Sequence, residues 1–153
     1  MKRIMLAVVL LLAACSSSNE PGILKPEVEL LQLQAPVDIG YATGPTQIQF
    51  GVRIANRSGE PITLKRIEIQ TVGTGSYVIR KQWFSFNEKV DPEHFGTVTF
   101  WARGYGFATD RGRTPSAEPV SLRGILYFDT PVGSFHQFVT RYISQFPGGE
   151  GPR

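Results

Sequence analysis

Between Thr46 and Ala55 the chain reads TQIQFGVRIA. Ile48, Phe50, Val52 and Ile54 share one parity; Gln47, Gln49, Gly51 and Arg53 share the other. A strand sends successive side chains to opposite faces, whereas a helix repeats every ~3.6 residues. Such a segment buries its apolar side only as a strand lying on a core. Most of the chain repeats this pattern, which restricts the fold to sheets with one wet and one dry face.

Further segments follow the same rule, separated by Gly, Pro, Asn and Asp. Glu27 to Ala35 brings Val28, Leu30 and Leu33. Pro61 to Val72 carries Ile62 and Leu64 in one phase and Ile67 and Ile69 in the other, so a bulge or a change of sheet is expected at Lys65-Arg66. Ser76 to Phe86 reads as one strand with a slip before Phe84, followed by a polar loop over Asn87 to Gly96. Thr97 to Arg103 and Pro119 to Asp129 alternate cleanly. Thr130-Pro131-Val132-Gly133 is a hairpin turn, which favours a strand over Ser134 to Ile143. Phe135, Phe138, Val139, Tyr142, Ile143 and Phe146 fit helical spacing as well, so a terminal helix is the alternative there. Seven short strands with this punctuation predict an all-β, seven-stranded antiparallel β-sandwich of immunoglobulin/fibronectin-III-like type.

Ahead of the strands the chain opens MKRIMLAVVLLLAACSSSNE. Lys2 and Arg3 precede an uncharged run from Ile4 to Ala14. At about 1.5 Å per residue that run spans roughly 17 Å, too short to cross a bilayer core of about 30 Å. A basic start, a short apolar middle and small residues at its end make a secretory signal. Leu12-Ala13-Ala14-Cys15 resembles the lipobox of bacterial lipoproteins. The resemblance implies lipidation of the Cys15 thiol, cleavage before it and a chain held to a membrane by two or three acyl groups, a stable anchor. Cys15 is the one cysteine, so no disulfide within the chain supports the core. The implied organisation is a signal peptide over 1–14, a lipidated Cys15 and flexible tether over 15–26, a sandwich domain over 27–146 and a disordered tail over 147–153. In double-membrane bacteria, Ser16 after the cysteine points to the outer membrane, periplasmic face, because the resemblance associates Asp there with inner-membrane retention.

Charge narrows the partners. The formal net is +3, and two of the cations belong to the leader, which leaves about +1 after cleavage. Basic residues are dispersed in runs of two at most, so a nucleic-acid partner is not indicated.

The stretch FGVRIANRSGEPITLKRIEIQTVGTG resembles the late-embryogenesis-abundant group 2 and water-stress (WHy) domains. Phe50 to Ala55, Asn56, Pro61-Ile62-Thr63-Leu64, Ile67 and Gly73/Gly75 occupy the motif places, and VDPEHFGTVTF over Val90 to Phe100 resembles a later segment. The family's Asn-Pro is Asn56-Arg57 here. The resemblance implies a seven-stranded sandwich without catalytic residues, tied to stress protection or binding. Independently of it, Asn56 at a strand end suits left-handed or side-chain-bonded turn geometry.

Few constellations carry chemistry. Glu88, Asp91, Glu93 and His94 could in principle hold a cation, but their spacing matches no metal motif and Asp91-Pro92 opens turns. His136 has no G-x-S-x-G elbow to serve. The Gly-rich GTGSYV precedes a strand rather than the helix N-terminus a phosphate cradle needs. A non-catalytic module follows, with no cofactor beyond the lipid. Its contact surface is expected around the long loop Gly104 to Glu118: Trp83, Trp101, Tyr105, Phe107, Arg111 and Arg113. Exposed Trp beside Arg suits a protein or sugar contact. The expected partners are the membrane, through lipid, and an envelope protein or glycan. A peptidoglycan-binding sandwich and an accessory subunit of an envelope complex are the alternatives.

Overall fold

The structure is a computed structural model that describes residues 24–34, 45–73, 75–106 and 119–143. The signal peptide, Cys15, most of the tether, Phe107, Arg111, Arg113 and the 147–153 tail lie outside the described residues. The described chain forms eight strands and no helix: β1 Glu27–Gln32, β2 Thr46–Ala55, β3 Ile62–Thr71, β4 Tyr77–Val78, β5 Gln82–Val90, β6 Phe95–Gly106, β7 Val120–Thr130 and β8 Gly133–Ile143. They build two antiparallel sheets, ordered β1-β2-β6-β4 and β5-β3-β7-β8. No described helix is long and apolar enough to cross a membrane.

Parity decides which residues fill the space between the sheets. Ile48, Phe50, Val52 and Ile54 of β2 are buried, as the alternation requires. They meet Ile62, Leu64, Ile67 and Ile69 of β3 and Leu122, Leu126 and Phe128 of β7. The expected irregularity in β3 is a register shift between Leu64 and Arg66, which lets both halves of that strand point inward. Where β5 of the second sheet lies against β6 of the first, the rings of Phe84 and Phe100 lie 4.6 Å apart. Gln82, at the start of β5, ties it to the far end of β6. Its side chain donates to Arg103 O at 2.7 Å and accepts from Arg103 N at 2.9 Å.

Several boundaries differ from expectation; β6 runs from Phe95 to Gly106, so Phe95-Gly96 and Gly104 to Gly106, expected in loops, are strand. The segment read as one strand over Ser76 to Phe86 is two, which makes the count eight instead of seven. β4 belongs to the first sheet and β5 to the second, with Ile79-Arg80-Lys81 passing between them. The phase slip before Phe84 was therefore a change of sheet. Thr71 anchors the passage: its amide donates to Ile79 O at 3.0 Å and its hydroxyl accepts from Ile79 N at 3.1 Å. In addition, Asn87 to Val90, read as loop, continues β5. Polar residues on an edge strand are a common protection against unwanted pairing, and they masked the alternation.

The chain after the Thr130–Gly133 turn is a strand, not a helix. Thr130 Oγ1 donates to Gly133 O at 2.7 Å, and Gly133 takes a φ of 146° that other residues rarely adopt. Asn56 is fully buried at the end of β2. Its Nδ2 donates to Glu60 O at 2.9 Å and Val90 O at 3.0 Å, and its Oδ1 accepts from Ser58 N and Oγ at 3.0 and 2.6 Å. Every polar atom of the side chain is thus used in fixing a turn.

Candidate functional site

The strands fix which side chains stand outward on each sheet. On the first sheet, Trp101 and Tyr105 share the outer parity of β6, with Arg103 between them. Trp101 faces Gln49 of β2, and Leu33 follows β1 and donates its amide N–H to Gln49 O. This face has local cover. Leu33 lies over Gly51, 3.1 Å from where a Cβ would stand. Arg80 stacks over Tyr105 at 5.2 Å and Arg57 over Phe95 at 5.5 Å.

Trp83 stands elsewhere. It occupies the outer parity of β5, on the second sheet, opposite Glu68. The sequence therefore grouped residues that the fold divides between two faces: Trp101 and Tyr105 on one, Trp83 on the other. Phe107, Arg111 and Arg113 lie outside the described residues.

On the second sheet Trp83 begins a row that the sequence reading did not assemble. Register places Trp83, Glu68, Ile125 and Phe138 in line across β5, β3, β7 and β8. Strands lie about 4.8 Å apart, so the row spans roughly 14 Å. Trp83 is 66% exposed and Phe138 60%. Farther along β8, Tyr142 is 74% exposed, opposite Ser121. The neighbouring row is Ser85, Arg66, Tyr127 and His136. There the Arg66 guanidinium lies 4.1 Å above the Tyr127 ring, and His136 sits 6.0 Å from Tyr127 and 5.4 Å from Phe138. Phe138 and Tyr142 join Trp83 only through the strand order and register of the sheet, which the sequence of β8 alone does not show. Only a strand puts them, with His136, on one outward parity.

The polar groups of this face are largely cationic. Lys65, Arg66, Lys81, Lys89 and Arg123 stand on or beside it, against Glu68, Asp91 and Asp129. Lys81 Nζ pairs with Glu68 at 2.8 Å. Lys89 pairs with Asp91 in the following turn, also at 2.8 Å, which holds the Asp91 carboxyl below its ordinary range. Lys65 donates to Asn87 at 2.6 Å. With its amide oxygen turned toward Arg123, Gln70 accepts from Nε at 3.3 Å. Neither Arg66 nor Arg123 makes an ion pair with a described residue.

The remaining candidates carry less. Among the described residues, no group of three or more His, Cys, Asp or Glu side chains is gathered as a metal ion would require. His94 turns back on its own loop, its Nδ1 2.7 Å from Pro92 O. Gly73 takes a positive φ of 79° in the turn before β4, as a turn glycine does. A shallow open depression lies against Glu27, Glu29, Arg53 and Phe95, with mixed charge and no convergent donors.

No protein-family model matches the chain, and no curated protein matches it. Solved structures do. An X-ray structure of the structural-genomics target SoR45 shares 11% identity, with a TM-score of 0.51, over 84% of this chain and 91% of that one. A crystal structure of a protein from Archaeoglobus fulgidus shares 14% identity, with a TM-score of 0.48, over 77% and 94%. At such identities the likeness to SoR45 concerns the fold alone.

Proposed function

We propose that the protein is a lipid-anchored, non-catalytic binding module of the bacterial envelope, and that its contact surface is the outer face of β5, β3, β7 and β8. The observation that carries this reading is the presentation of Trp83, Phe138 and Tyr142 on one sheet face, each more than half exposed. Large rings left in water are the usual anchors of a contact. The lipobox-like Leu12-Ala13-Ala14-Cys15 supplies the anchor, and Ser16 favours the outer membrane, periplasmic face, in a double-membrane cell. The strand order supports an immunoglobulin/fibronectin-III-like sandwich. A stress-related role rests on the WHy-like stretch alone, and a role as an accessory subunit would use the same face.

Two measurements test the reading. Palmitate labelling should mark the native chain and not Cys15→Ala; labelling of the variant removes the anchor. A photo-crosslinking residue placed at Ser85 or Thr140, on the proposed face, should capture an envelope component in cells, whereas one at Thr99 on the first sheet should not. Equal capture from both faces, or none from Ser85 and Thr140, overturns the assignment of the surface.

A further inference from the structure

Three features of the second sheet's outer face restrict what can cover it. The first is sign. Five cations face three carboxylates, and two of these are already held, Glu68 by Lys81 and Asp91 by Lys89, which leaves Arg66 and Arg123 without an ion pair to a described residue. A second copy of the chain laid face to face would set Arg66, Arg123 and Lys65 against their own kind, and like charges brought together in an interface oppose it. The complementary partner is anionic.

The second is the ground between the rings. The core of a protein–protein interface is depleted in charged residues. Here the line from Trp83 to Phe138 passes over the Glu68–Lys81 pair and Ile125, and the way from Phe138 to Tyr142 passes Arg123, Gln70 and Thr140. Rings thus alternate with hydrogen-bonding groups at intervals of about 14 Å, across the sheet and along β8. A folded protein would have to bury those charges. A polysaccharide, with apolar ring faces and hydroxylated edges, meets both kinds of ground.

The third is the backbone. β3 and β7 are paired on both sides, so the middle of the face offers side chains only. An extended peptide is normally held by main-chain bonds at a sheet edge. A glycan needs no main-chain partner. Arg66 already lies over the Tyr127 ring at 4.1 Å, which restrains its fork, and a planar fork is the geometry in which arginine surpasses lysine toward a carboxylate.

We propose that this face binds an extended, carboxylate-bearing polysaccharide. Trp83, Phe138 and Tyr142 stack on sugar rings, and Arg66 and Arg123 pair with the carboxylates. The proposal rests on the reading of this face as the contact surface and names its occupant.

The test uses the full-length lipidated protein in detergent micelles and three immobilised probes: polygalacturonate, neutral dextran and polyglutamate. Polygalacturonate should be retained at least tenfold more tightly than either of the others. Trp83→Ala and Phe138→Ala should each weaken that retention about tenfold. Arg66→Gln with Arg123→Gln should weaken it further and flatten its dependence on salt. Trp101→Ala, on the first sheet, should leave it unchanged, and a matching thermal melt shows that each variant is folded. Polyglutamate bound as tightly as polygalacturonate, with no effect of Trp83→Ala, overturns the proposal in favour of an acidic polypeptide. Dextran bound equally well overturns the carboxylate requirement. Failure to retain polygalacturonate while Ser85 and Thr140 still crosslink in cells removes the polysaccharide and leaves the contact surface. Failure of both removes both.

Discussion

The two outer faces of the sandwich hold similar residues in different states. On the first sheet, Leu33 lies over Gly51, Arg80 caps Tyr105 and Arg57 caps Phe95. Trp101 and Tyr105 there are 49% and 37% exposed, less than any of Trp83, Phe138 and Tyr142 on the second sheet, while Phe95, at the start of β6, is 63% exposed beside Arg57. A ring with a neighbour over it is part of the fold's own surface. A ring standing free adds nothing to folding that water does not oppose, and so calls for another explanation. Composition alone does not separate the cases, because both faces combine aromatic side chains with arginine.

The comparison depends on a core that both sheets share, and removing that core should abolish it with the largest effect. Phe100 reaches from the first sheet to Phe84 and Phe86 of the second, with ring centroids 4.6 and 6.1 Å away, and lies 5.9 Å from Phe50. Phe100→Ala should lower stability by about 3–5 kcal/mol. Denaturant unfolding measures this, and a loss under about 1 kcal/mol would mean that the packing of β5 against β6 contributes little.

Asn56 should follow. Its side chain joins the turn after β2 to the end of β5, which belongs to the other sheet. Asn56→Ala leaves Glu60 O and Val90 O without their donor and should cost on the order of 3 kcal/mol. A cost near zero would show that water takes the vacated place.

Much of the fold was legible because parity is read directly from side-chain type. β2 was read at its observed limits, and the bulge in β3 announced itself when Ile67 and Ile69 changed phase relative to Ile62 and Leu64. Where the chain changes sheet without a Gly or Pro to mark it, as at Ile79-Arg80-Lys81, parity slips and nothing in the local sequence says why. The site was less legible for a different reason. Trp83 and Phe138 lie far apart along the chain, and only the register through β3 and β7 sets them in one row. Outward parity can be read for each strand alone; the order of strands in a sheet is a tertiary fact.

Glycines sharpen the contrast between inside and outside. A Cβ on Gly124, which faces the core, would stand 2.9 Å from Val139, whereas one on Gly51, on the first outer face, would stand 3.1 Å from the free end of Leu33. Gly124→Ala should cost about 1–2 kcal/mol, since a packed side chain must move. Gly51→Ala should cost less, because Leu33 can lift into solvent. Equal costs measured by thermal melts would show that Leu33 is as firmly held as the core.

Tyr77 gives a pH-dependent version of the same question. Burial pushes its phenol well above the usual value near 10, and its hydroxyl donates to Gln32 Oε1 at 2.7 Å. The folded state keeps a proton that the unfolded chain releases above about pH 10. The stability contributed is therefore complete below that pH and is lost as pH rises beyond it. Tyr77→Phe should cost about 1 kcal/mol at neutral pH and flatten the alkaline decline. An unchanged decline would assign it to other groups.

The smallest effect on stability should come from the residues with the largest proposed role. Trp83→Ala, Phe138→Ala and Tyr142→Ala each remove a ring that folding leaves mostly in water, so each should change stability by less than about 0.5 kcal/mol. Trp101→Ala should cost more, because about half of that side chain is covered. If the Trp83 and Phe138 variants instead lose a kilocalorie or more, those rings support one another across Ile125 and the second face is structural like the first. If all three are neutral in folding while the Ser85 and Thr140 crosslinks disappear, exposure on that face is kept for a partner. Folding and binding then read opposite faces of one molecule, and the asymmetry between them is itself the signature of the site.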